Sequence, residues 1–375
     1  MKLYSFTTVK DEADIIESFV RYNMNILDGM IISDNGSNDN TLDILYKLKD
    51  EGYNIDIIED KSKTFNQYVR RNELLQYTIK KYKPDYIFPL DADEFIATNN
   101  KCNPREIIEK LNPNKLYLYK MENYVLTKNS SDDLFIPEKI TQIRNVSNSY
   151  EYFYKCIISN KIYSYSGGVD LASGAHNLVY RDGKKVDTEY MDCLFLAHYP
   201  VRSIVQYINK DISLALNGLR FHSRESGTSH HKYYILDKII KYGSIPEKEL
   251  YEFSKYYDVV DTKTDKIFKK DLIVGLKKSK LDYSFCKNID IKYTDKYVDN
   301  SFILKNVLIV AKSVIDNMRN DASDKEIQYK KTIQEKDMCI EETNARLENY
   351  VKEYNNIINS KRWKLINKIF NLFGK

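Results

Sequence analysis

The first ninety residues alternate between short apolar runs and longer amphipathic segments, and this alternation constrains the fold more than any other feature. The apolar runs are too short for helices and are typical of buried strands, while the segments between them have helical apolar spacing. The predicted strands cover 3–9, 30–33, 55–58 and 86–90, and the predicted helices cover 13–24, 41–49 and 66–81. This order predicts an α/β fold with a mostly parallel sheet and helices on both faces.

Parallel sheets of this kind bind ligands at the carboxyl ends of their strands, so the loops there are the first places to search. Asp91, Asp93 and Glu94 follow the strand 86–90 directly. Three carboxylates this close repel one another unless a cation lies among them. A bare acidic triplet is more often an exposed turn, but its place at a strand end favours a site for Mg²⁺ or Mn²⁺, held together with substrate phosphates.

A second polar loop follows the strand 30–33. Asn35 and Gly36 form a turn signal, and Asp39 is suited to cap the next helix. Asp34 stands at the strand end, where its carboxylate could accept a hydrogen bond from a nucleobase or a ribose. The sequence therefore predicts a nucleotide site between the two loops.

In this order, the motifs resemble the family-two glycosyltransferases, which have the GT-A fold, a Rossmann-type sheet. The resemblance covers residues 2–210 and rests on the loop 34–39, on Arg71-Asn72 in the third helix and on Asp91-Ala92-Asp93-Glu94-Phe95. Thr8-Val9-Lys10-Asp11-Glu12 and His198-Tyr199-Pro200-Val201-Arg202-Ser203 resemble elements of one branch of that family.

The resemblance implies a role for several residues. A divalent cation, Mn²⁺ or Mg²⁺, would bridge the diphosphate of a sugar nucleotide and stabilise the charge that develops as it leaves. The implied assignments are Thr8 and Val9 lining the nucleotide pocket, Asp34 at the nucleobase, Arg71 near the base or diphosphate, Asp91 at the ribose and Asp93 on the metal.

Four further residues are candidates for the same site. His198 ends an apolar run and is a candidate metal ligand, as is His176, although either could be a packed or capping histidine. Arg202 and Lys210 lie on a predicted helix over 202–219 and could neutralise phosphate; a solvated basic face is the alternative.

The general base is the least determined part of the site. The Glu-Asp pair that the family carries after its middle strands is missing, so both the base and the stereochemistry stay open. Asp170, in a turn before His176, is the first candidate, and Glu122, after the predicted strand 116–121, is the second. Lys155 matches a lysine common in the same branch, without an assigned role.

The rest of the chain is predicted to be helical. Residues 1–210 form the GT-A-like domain, and 211–320 form a mainly helical extension with helices over 233–242 and 302–317. The segment 321–358 is highly charged, with Ile333, Ile340, Leu347 and Tyr354 at seven-residue spacing, so it is either a coiled coil that joins copies of the chain or a solvated helix. Residues 359–375 form a basic amphipathic helix suited to a membrane surface or a protein partner.

Composition excludes several classes of protein. The five cysteines are scattered without paired spacing, which argues against a disulfide framework or a zinc knuckle, and no run reaches the length of a membrane span or a signal peptide. The net charge of +4 is small for 375 residues and does not indicate a nucleic-acid binder. These features predict a cytoplasmic protein, in part resting on the inner face of the cell membrane.

The expected function is a metal-dependent transfer of sugar from a nucleotide donor to a surface glycan, a lipid-linked saccharide or a protein-linked glycan. The resemblance implies inversion at the sugar. A nucleotidyltransferase is the alternative enzyme, but it would need a glycine-rich basic loop after the first strand. A non-catalytic membrane scaffold is the other alternative, and it would have no use for Asp34, Arg71 and Asp93 together.

Overall fold

The structure is a computed structural model. It describes residues 1–60, 67–99, 101–146, 153–165, 168–210, 246–257, 274–287, 289–295, 301–365 and 368. These form two compact units, residues 1–305 and 306–375. The predicted helix over 233–242 lies outside the described residues, as do 211–219 of the helix predicted after His198. The predicted boundary at 210 therefore stays a prediction.

A central sheet of eight strands organises the first unit. Its order is β3-β2-β1-β4-β8-β6-β11-β5. The pairs β3–β2, β2–β1, β1–β4 and β6–β11 are parallel, and the pairs β4–β8, β8–β6 and β11–β5 are antiparallel. The strands are β1 (Leu3–Val9), β2 (Gly29–Asp34), β3 (Ile55–Glu59), β4 (Tyr86–Pro89), β5 (Glu94–Thr98), β6 (Leu116–Asn123), β8 (Tyr154–Ser159) and β11 (Thr188–His198).

Two small antiparallel sheets flank the central one. β7 (Gln142–Val146) pairs with β12 (Val274–Lys278), and β9 (Val169–Leu171) pairs with β10 (Leu178–Tyr180). A single 3₁₀ turn, Ser173–Ala175, links β9 to β10. His176 follows this turn and precedes β10.

Helices cover both faces of the central sheet. Phe19 of α1 and Leu45 of α2 belong to one buried apolar cluster, and Leu75 of α3 belongs to the other, so α3 covers the opposite face. Side chains that alternate along β2, such as Ile31 and Ile32, divide between the clusters in the same way. The helices are α1 (Ile16–Asn23), α2 (Thr41–Asp50), α3 (Gln67–Tyr82), α4 (Pro104–Ile108), α5 (Ile136–Lys139), α6 (Asn160–Ser164), α7 (204–210), α8 (Glu247–Lys255) and α9 (Ser301–Asn359).

The predicted fold class is confirmed. The strand–helix alternation of the first ninety residues is present within a few residues of the predicted bounds, and a mostly parallel sheet lies between helices on both faces. After residue 103, β6, β8 and β11 join the same sheet, while β7, β9, β10 and β12 form the two small sheets. This addition brings the end of β11 beside the acidic loop that follows β4.

The second unit contains most of α9 and a further helical segment, 361–365. Ile333, Ile340, Leu347 and Tyr354 are each between 57% and 64% exposed. Across the described residues, no helix is both long and apolar enough to cross a membrane. All five cysteines are free.

One buried carboxylate attaches a late segment of the chain to α1. Glu17 is fully buried and pairs with Arg21, whose Nε lies 2.9 Å from Oε1. Its carboxylate also accepts backbone N–H groups from Lys292 at 2.9 Å, Tyr293 at 2.7 Å and Thr294 at 2.8 Å. We call 289–295 the strap. A buried charge with this many donors is stable only while the strap stays in place.

Glu17→Ala is expected to lower the free energy of unfolding by about 3–5 kcal/mol, because it removes one of the two carboxylate partners of Arg21 and leaves three backbone amides without their acceptor. Urea denaturation measures this loss. Asp43→Ala serves as the control, since the Asp43–Lys47 pair is 60% and 48% exposed and such a pair contributes about 0.5 kcal/mol. Equal small losses in both variants would contradict a structural role for Glu17.

Candidate functional site

The loops after β1 and β2 are bonded to each other at the carboxyl edge of the sheet. The N–H of Asp11 donates to Ser37 Oγ at 2.9 Å, and the N–H of Glu12 donates to Thr41 Oγ1 at 2.8 Å. Asp39 accepts from the N–H groups of Ala13 and Thr41, both at 3.0 Å. Asp39 therefore joins the two loops in addition to its local role at the start of α2.

Asp34 is 3% exposed and holds its own turn together. One carboxylate oxygen accepts from the N–H groups of Gly36 at 3.0 Å and Ser37 at 3.1 Å, and the other accepts from the Ser37 hydroxyl at 2.5 Å. Gly36 has a φ of 70°, which favours glycine. The oxygen that accepts only the Ser37 hydroxyl has a second lone pair, which is what a nucleobase contact at Asp34 would use.

Thr8 and Val9 end β1 beside this turn. Val9 is 2% exposed, and its side chain packs in the core beneath this turn. Thr8 Oγ1 is buried and has no hydrogen-bond partner within the described part of the chain. A buried hydroxyl without a partner is suited to a ligand contact at this position.

The acidic loop after β4 is a closed turn. The N–H of Glu94 donates to the Asp91 carbonyl at 3.1 Å, and the N–H of Asp91 donates to Glu94 Oε2 at 2.9 Å. Lys155, 2% exposed on β8, reaches both carboxylates, with Nζ 2.7 Å from Asp91 Oδ2 and 2.5 Å from Glu94 Oε2. Arg71 on α3 forms an ion pair with the other oxygen of Asp91.

These contacts divide the charge unequally within the loop. Burial opposes ionisation of Asp91, but Arg71 and Lys155 outweigh it and hold the pKa of Asp91 well below its usual range. Burial raises the pKa of Glu94 to about 8, with the charges of Asp91 and Asp93 adding to the shift against Lys155. Asp91 is therefore the ionised carboxylate that this cation pair stabilises.

Asp93 faces three nitrogen-bearing side chains. His198 Nε2 lies 3.7 Å from Oδ1, and Lys210 Nζ and Arg202 NH1 lie 3.5 and 3.9 Å from Oδ2. Burial opposes ionisation of Asp93, but Lys210 and Arg202 lower its pKa overall. The Asp93 carbonyl also accepts the N–H of Tyr199 at 2.8 Å, which fixes the loop against the end of β11.

His198 has the tautomer that a metal ligand needs. Its Nδ1 lies 2.6 Å from Oδ1 of Asn123 on β6, an acceptor, so Nδ1 carries the proton and the lone pair of Nε2 points toward Asp93. Burial lowers the pKa of His198 to about 4, so the ring is neutral at physiological pH.

One carboxylate oxygen and one imidazole nitrogen are a donor set that fits a divalent transition metal such as Mn²⁺. Within the described ranges, no three carboxylate, imidazole or thiol groups converge as a metal cage. Asp93 and His198 could therefore hold the cation only with other ligands, such as phosphate oxygens and water.

Arg202 is 1% exposed and links the acidic loop to the loop after β1. Its Nε donates to Asp14 Oδ2 at 2.7 Å, and NH2 donates to Asp14 Oδ1 at 2.9 Å and to Glu12 Oε2 at 2.5 Å. Lys210 on α7 is more accessible and lies 3.3 Å from Glu12 Oε1. Burial raises the pKa of Glu12 despite both cations. Of the two predicted phosphate ligands, Lys210 therefore has the more exposed side chain.

The two candidate bases lie on different elements, each beside a cation. Asp170 on β9 pairs with Arg181, which directly follows β10, with Oδ1 2.8 Å from NH2. Glu122 on β6 pairs with Lys120 at 3.1 Å and precedes Asn123, the partner of His198. Glu122 thus lies next to the end of β6 that contacts His198.

His176 lies on the Asp91 side of the site. Its Nδ1 is 2.6 Å from the Tyr154 carbonyl, and the charges of Lys155, Arg71 and Asp91 act on its ring. Burial lowers its pKa. The described contacts thus place His176 near Asp91, while His198 faces Asp93.

Sequence reasoning missed four residues of this site. Glu12 and Lys155 were noticed in motifs without a role, and Asp14 and Asn123 were not noticed. A lone lysine inside the apolar strand β8 is the signal that could have found Lys155, because a buried lysine needs a carboxylate partner. Asn123 gave no such signal.

Comparison with known proteins gives one family match and several matches in fold. Residues 7–114 match the family model described as glycosyl transferase family 2. No curated protein matches the chain in sequence. A crystal structure of S. aureus TarS residues 1–349 in complex with UDP is 12% identical, with a TM-score of 0.36, over 67% of this chain and 77% of that chain.

Two further solved structures are similar at the same level. A mannosyltransferase, PcManGT from Pyrobaculum calidifontis, in complex with GDP-Man and Mn²⁺, is 10% identical with a TM-score of 0.31, over 69% of this chain and 81% of that chain. Glucosyl-3-phosphoglycerate synthase from Mycobacterium tuberculosis, in complex with Mn²⁺, UDP and glucosyl-3-phosphoglycerate, is 14% identical with a TM-score of 0.22, over 32% and 44%. The family match covers β1 to β5, the part that carries the acidic loop.

Arg202→Met is expected to destabilise the fold by about 3–5 kcal/mol in urea denaturation, because Glu12 and Asp14 lose a buried partner. Arg202→Lys keeps the positive charge but loses the planar guanidinium, so its free energy of unfolding is expected to lie between those of the wild type and Arg202→Met. Arg181→Met is the control, since its guanidinium is 46% exposed. A loss for Arg202→Met no larger than for the control would contradict this linkage.

Proposed function

We propose, from the glycosyl transferase family 2 domain that the chain carries over residues 7–114, that the protein transfers a sugar from a nucleoside diphosphate donor in a metal-dependent reaction. The observation that carries the proposal is the pairing of Asp93 with the unprotonated Nε2 of His198, 3.7 Å away, beside the ionised Asp91. These groups meet at the carboxyl ends of β4 and β11, where a sheet of this kind binds its ligand.

Each part of the donor has its own residues in this proposal. Asp34 and Thr8 contact the nucleoside, Asp91 contacts the ribose, and Arg71 and Lys210 face the diphosphate. Arg71 supports this role because its NH1 is buried and has no hydrogen-bond partner among the described residues. When bound by Asp93 and His198, Mn²⁺ or Mg²⁺ stabilises the negative charge of the departing diphosphate.

The reaction is an inverting single displacement in this proposal. The acceptor hydroxyl forms a bond to the anomeric carbon while the bond to the diphosphate breaks, and a carboxylate removes the hydroxyl proton. Glu122 and Asp170 are the two candidates for that carboxylate. The acceptor is a surface glycan, a lipid-linked saccharide or a protein-linked glycan of a bacterial cell.

The C-terminal unit places the enzyme at its substrate in this proposal. The segment 321–358 joins copies of the chain through its heptad positions, and 359–375 rests on the inner face of the cell membrane. Lys361, Lys364 and Lys368 lie in the described part of the second segment, while 366, 367 and 369–375 lie outside the described residues. A basic helix of this kind binds anionic lipid.

Asp93→Asn is expected to reduce turnover at least about a hundredfold and to abolish the effect of Mn²⁺ on nucleotide binding, because an amide binds the cation poorly. Stability should change by no more than about 1–2 kcal/mol. Donor turnover and calorimetric nucleotide titration with Mn²⁺ or chelator measure both. Asp192→Asn, an exposed change on β11, is the control. Unfolding with intact metal-dependent nucleotide binding would make Asp93 structural.

Reversal of charge at Lys361, Lys364 and Lys368 is expected to release the full-length chain from anionic vesicles. The wild-type chain should co-sediment with vesicles of phosphatidylglycerol at low salt and partly dissociate at high salt. A control variant reverses Lys325, Lys331 and Lys336 on α9, which leaves the basic segment intact. Binding that ignores salt and charge reversal would contradict the membrane role.

A further inference from the structure

Two aromatic rings lie together where β8 begins, and one of them is His176, on which the charge of Asp91 acts. The rings of Phe153 and His176 are 5.5 Å apart between centroids and tilted by 40°. Phe153 is 42% exposed, although it directly precedes β8, in which every residue after Tyr154 is buried. An exposed phenylalanine is costly to solvate and presents a flat apolar face. We call this pair the shelf.

The local backbone is built to hold the imidazole in this position. Nδ1 of His176 bonds to the Tyr154 carbonyl at 2.6 Å, one residue after Phe153. Gly174 has a φ of 71°, and a Cβ there would lie 2.3 Å from His176 Nε2. Glycine is therefore required under the ring, both for its backbone angle and for its lack of a side chain.

The shelf is also fixed relative to Asp91. Two adjacent residues of α3 bond to the acidic loop and to the strand that leads to His176. Arg71 pairs with Asp91, and Asn72 bonds to both backbone groups of Leu171, the last residue of β9, at 2.6 and 3.3 Å. Phe153 directly precedes β8, two residues before Lys155. Lys155 is bonded to Asp91 at 2.7 Å.

The strand order indicates which part of a substrate reaches the shelf. β2, which presents Asp34, is three strands from β8, a separation of roughly 14 Å. Asp91 lies between them, at the end of β4. A nucleoside diphosphate sugar with its base at Asp34 and its ribose at Asp91 therefore has its base far from β8, which leaves the shelf on the sugar side.

We infer that Phe153 and His176 bind the apolar face of a pyranose, a carbohydrate subsite within the proposed glycosyltransferase site. A pyranose has a face of C–H groups that matches a flat ring, and its hydroxyls stay at the rim in water. The inference rests on the proposed function for the route by which the sugar arrives. The pyranose belongs to the donor or to the acceptor, and the experiment separates the two.

The test uses the full-length chain and Phe153→Leu, which keeps an apolar side chain and removes the ring face. Tyr190→Leu is the matched control, since Tyr190 is 60% exposed and its ring packs edge-on against Tyr154. Phe153→Tyr keeps the ring and should behave as the wild type. The first measurement is saturation-transfer NMR with methyl glucopyranoside, galactopyranoside and mannopyranoside. We expect the ring C–H protons of at least one glycoside to show transfer that Phe153→Leu abolishes.

The second measurement assigns the source of the sugar. UDP, GDP and their sugar conjugates are titrated calorimetrically with Mn²⁺. If the donor sugar occupies the shelf, Phe153→Leu weakens the conjugate by about three- to tenfold and leaves the free diphosphate unchanged. If the acceptor sugar does, both titrations are unchanged and the KM for the acceptor rises by a similar factor.

The outcomes separate the shelf from the proposed function. Glycoside signals that depend on Phe153 without any nucleotide binding would support the shelf and overturn the proposed donor. Signals that are absent in the wild type or equal in Phe153→Leu would overturn the shelf, whatever the nucleotide titrations give. Equal weakening of UDP and UDP-sugar would also overturn it, because the ring would then serve the fold or the nucleoside.

Discussion

Buried negative charge at the carboxyl edge of the sheet is the constraint on which the rest of the site depends. Five carboxylates, Glu12, Asp14, Asp91, Asp93 and Glu94, are each at most 9% exposed except Asp91, which is 36% exposed at its side chain. Taking a carboxylate out of water costs several kcal/mol unless a partner compensates it. Four cationic side chains meet this group, namely Arg71, Lys155, Arg202 and Lys210. Because burial raises the pKa of Glu94 to about 8, the other four carboxylates face four cations, and the charges of this group are close to balanced.

The two halves of the sheet contribute opposite signs. The parallel half supplies most of the carboxylates, since the loops after β1 and β4 carry four of the five and Glu94 begins β5. Strands added later to the same sheet supply most of the cations: Lys155 comes from β8, and Arg202 and Lys210 follow β11. Their contacts join residues far apart in sequence, such as Arg202 and Glu12. The site can therefore form only when both halves of the sheet have assembled, so it depends on the fold of the whole first unit.

The sequence alone predicted the acidic loop of the parallel half, but only some of the residues that the other half contributes to the site. Short apolar strands, helical spacing and acidic residues at strand ends are local signals, and they predicted the fold class and the acidic loop. The partners of those carboxylates were not predictable in the same way, because ion pairs across the sheet depend on strand order. Arg202 was predicted to neutralise phosphate, while the structure places its guanidinium against Glu12 and Asp14. Asn123 sets the tautomer of His198 and shows no feature in sequence that separates it from any other asparagine.

Binding of a nucleoside diphosphate sugar together with a divalent cation is the central claim, and a thermal-shift screen tests it most directly. The full-length chain is heated with UDP-, GDP-, CMP- and TDP-sugars, each with Mn²⁺, Mg²⁺ or a chelator. A ligand that binds only the native state stabilises it by RT ln(1 + [L]/Kd), where [L] is the free ligand concentration, and so raises the melting temperature. The account predicts a rise with one class of nucleotide sugar that chelator removes. A well-folded chain whose melting temperature responds to no nucleotide, with or without metal, would contradict it.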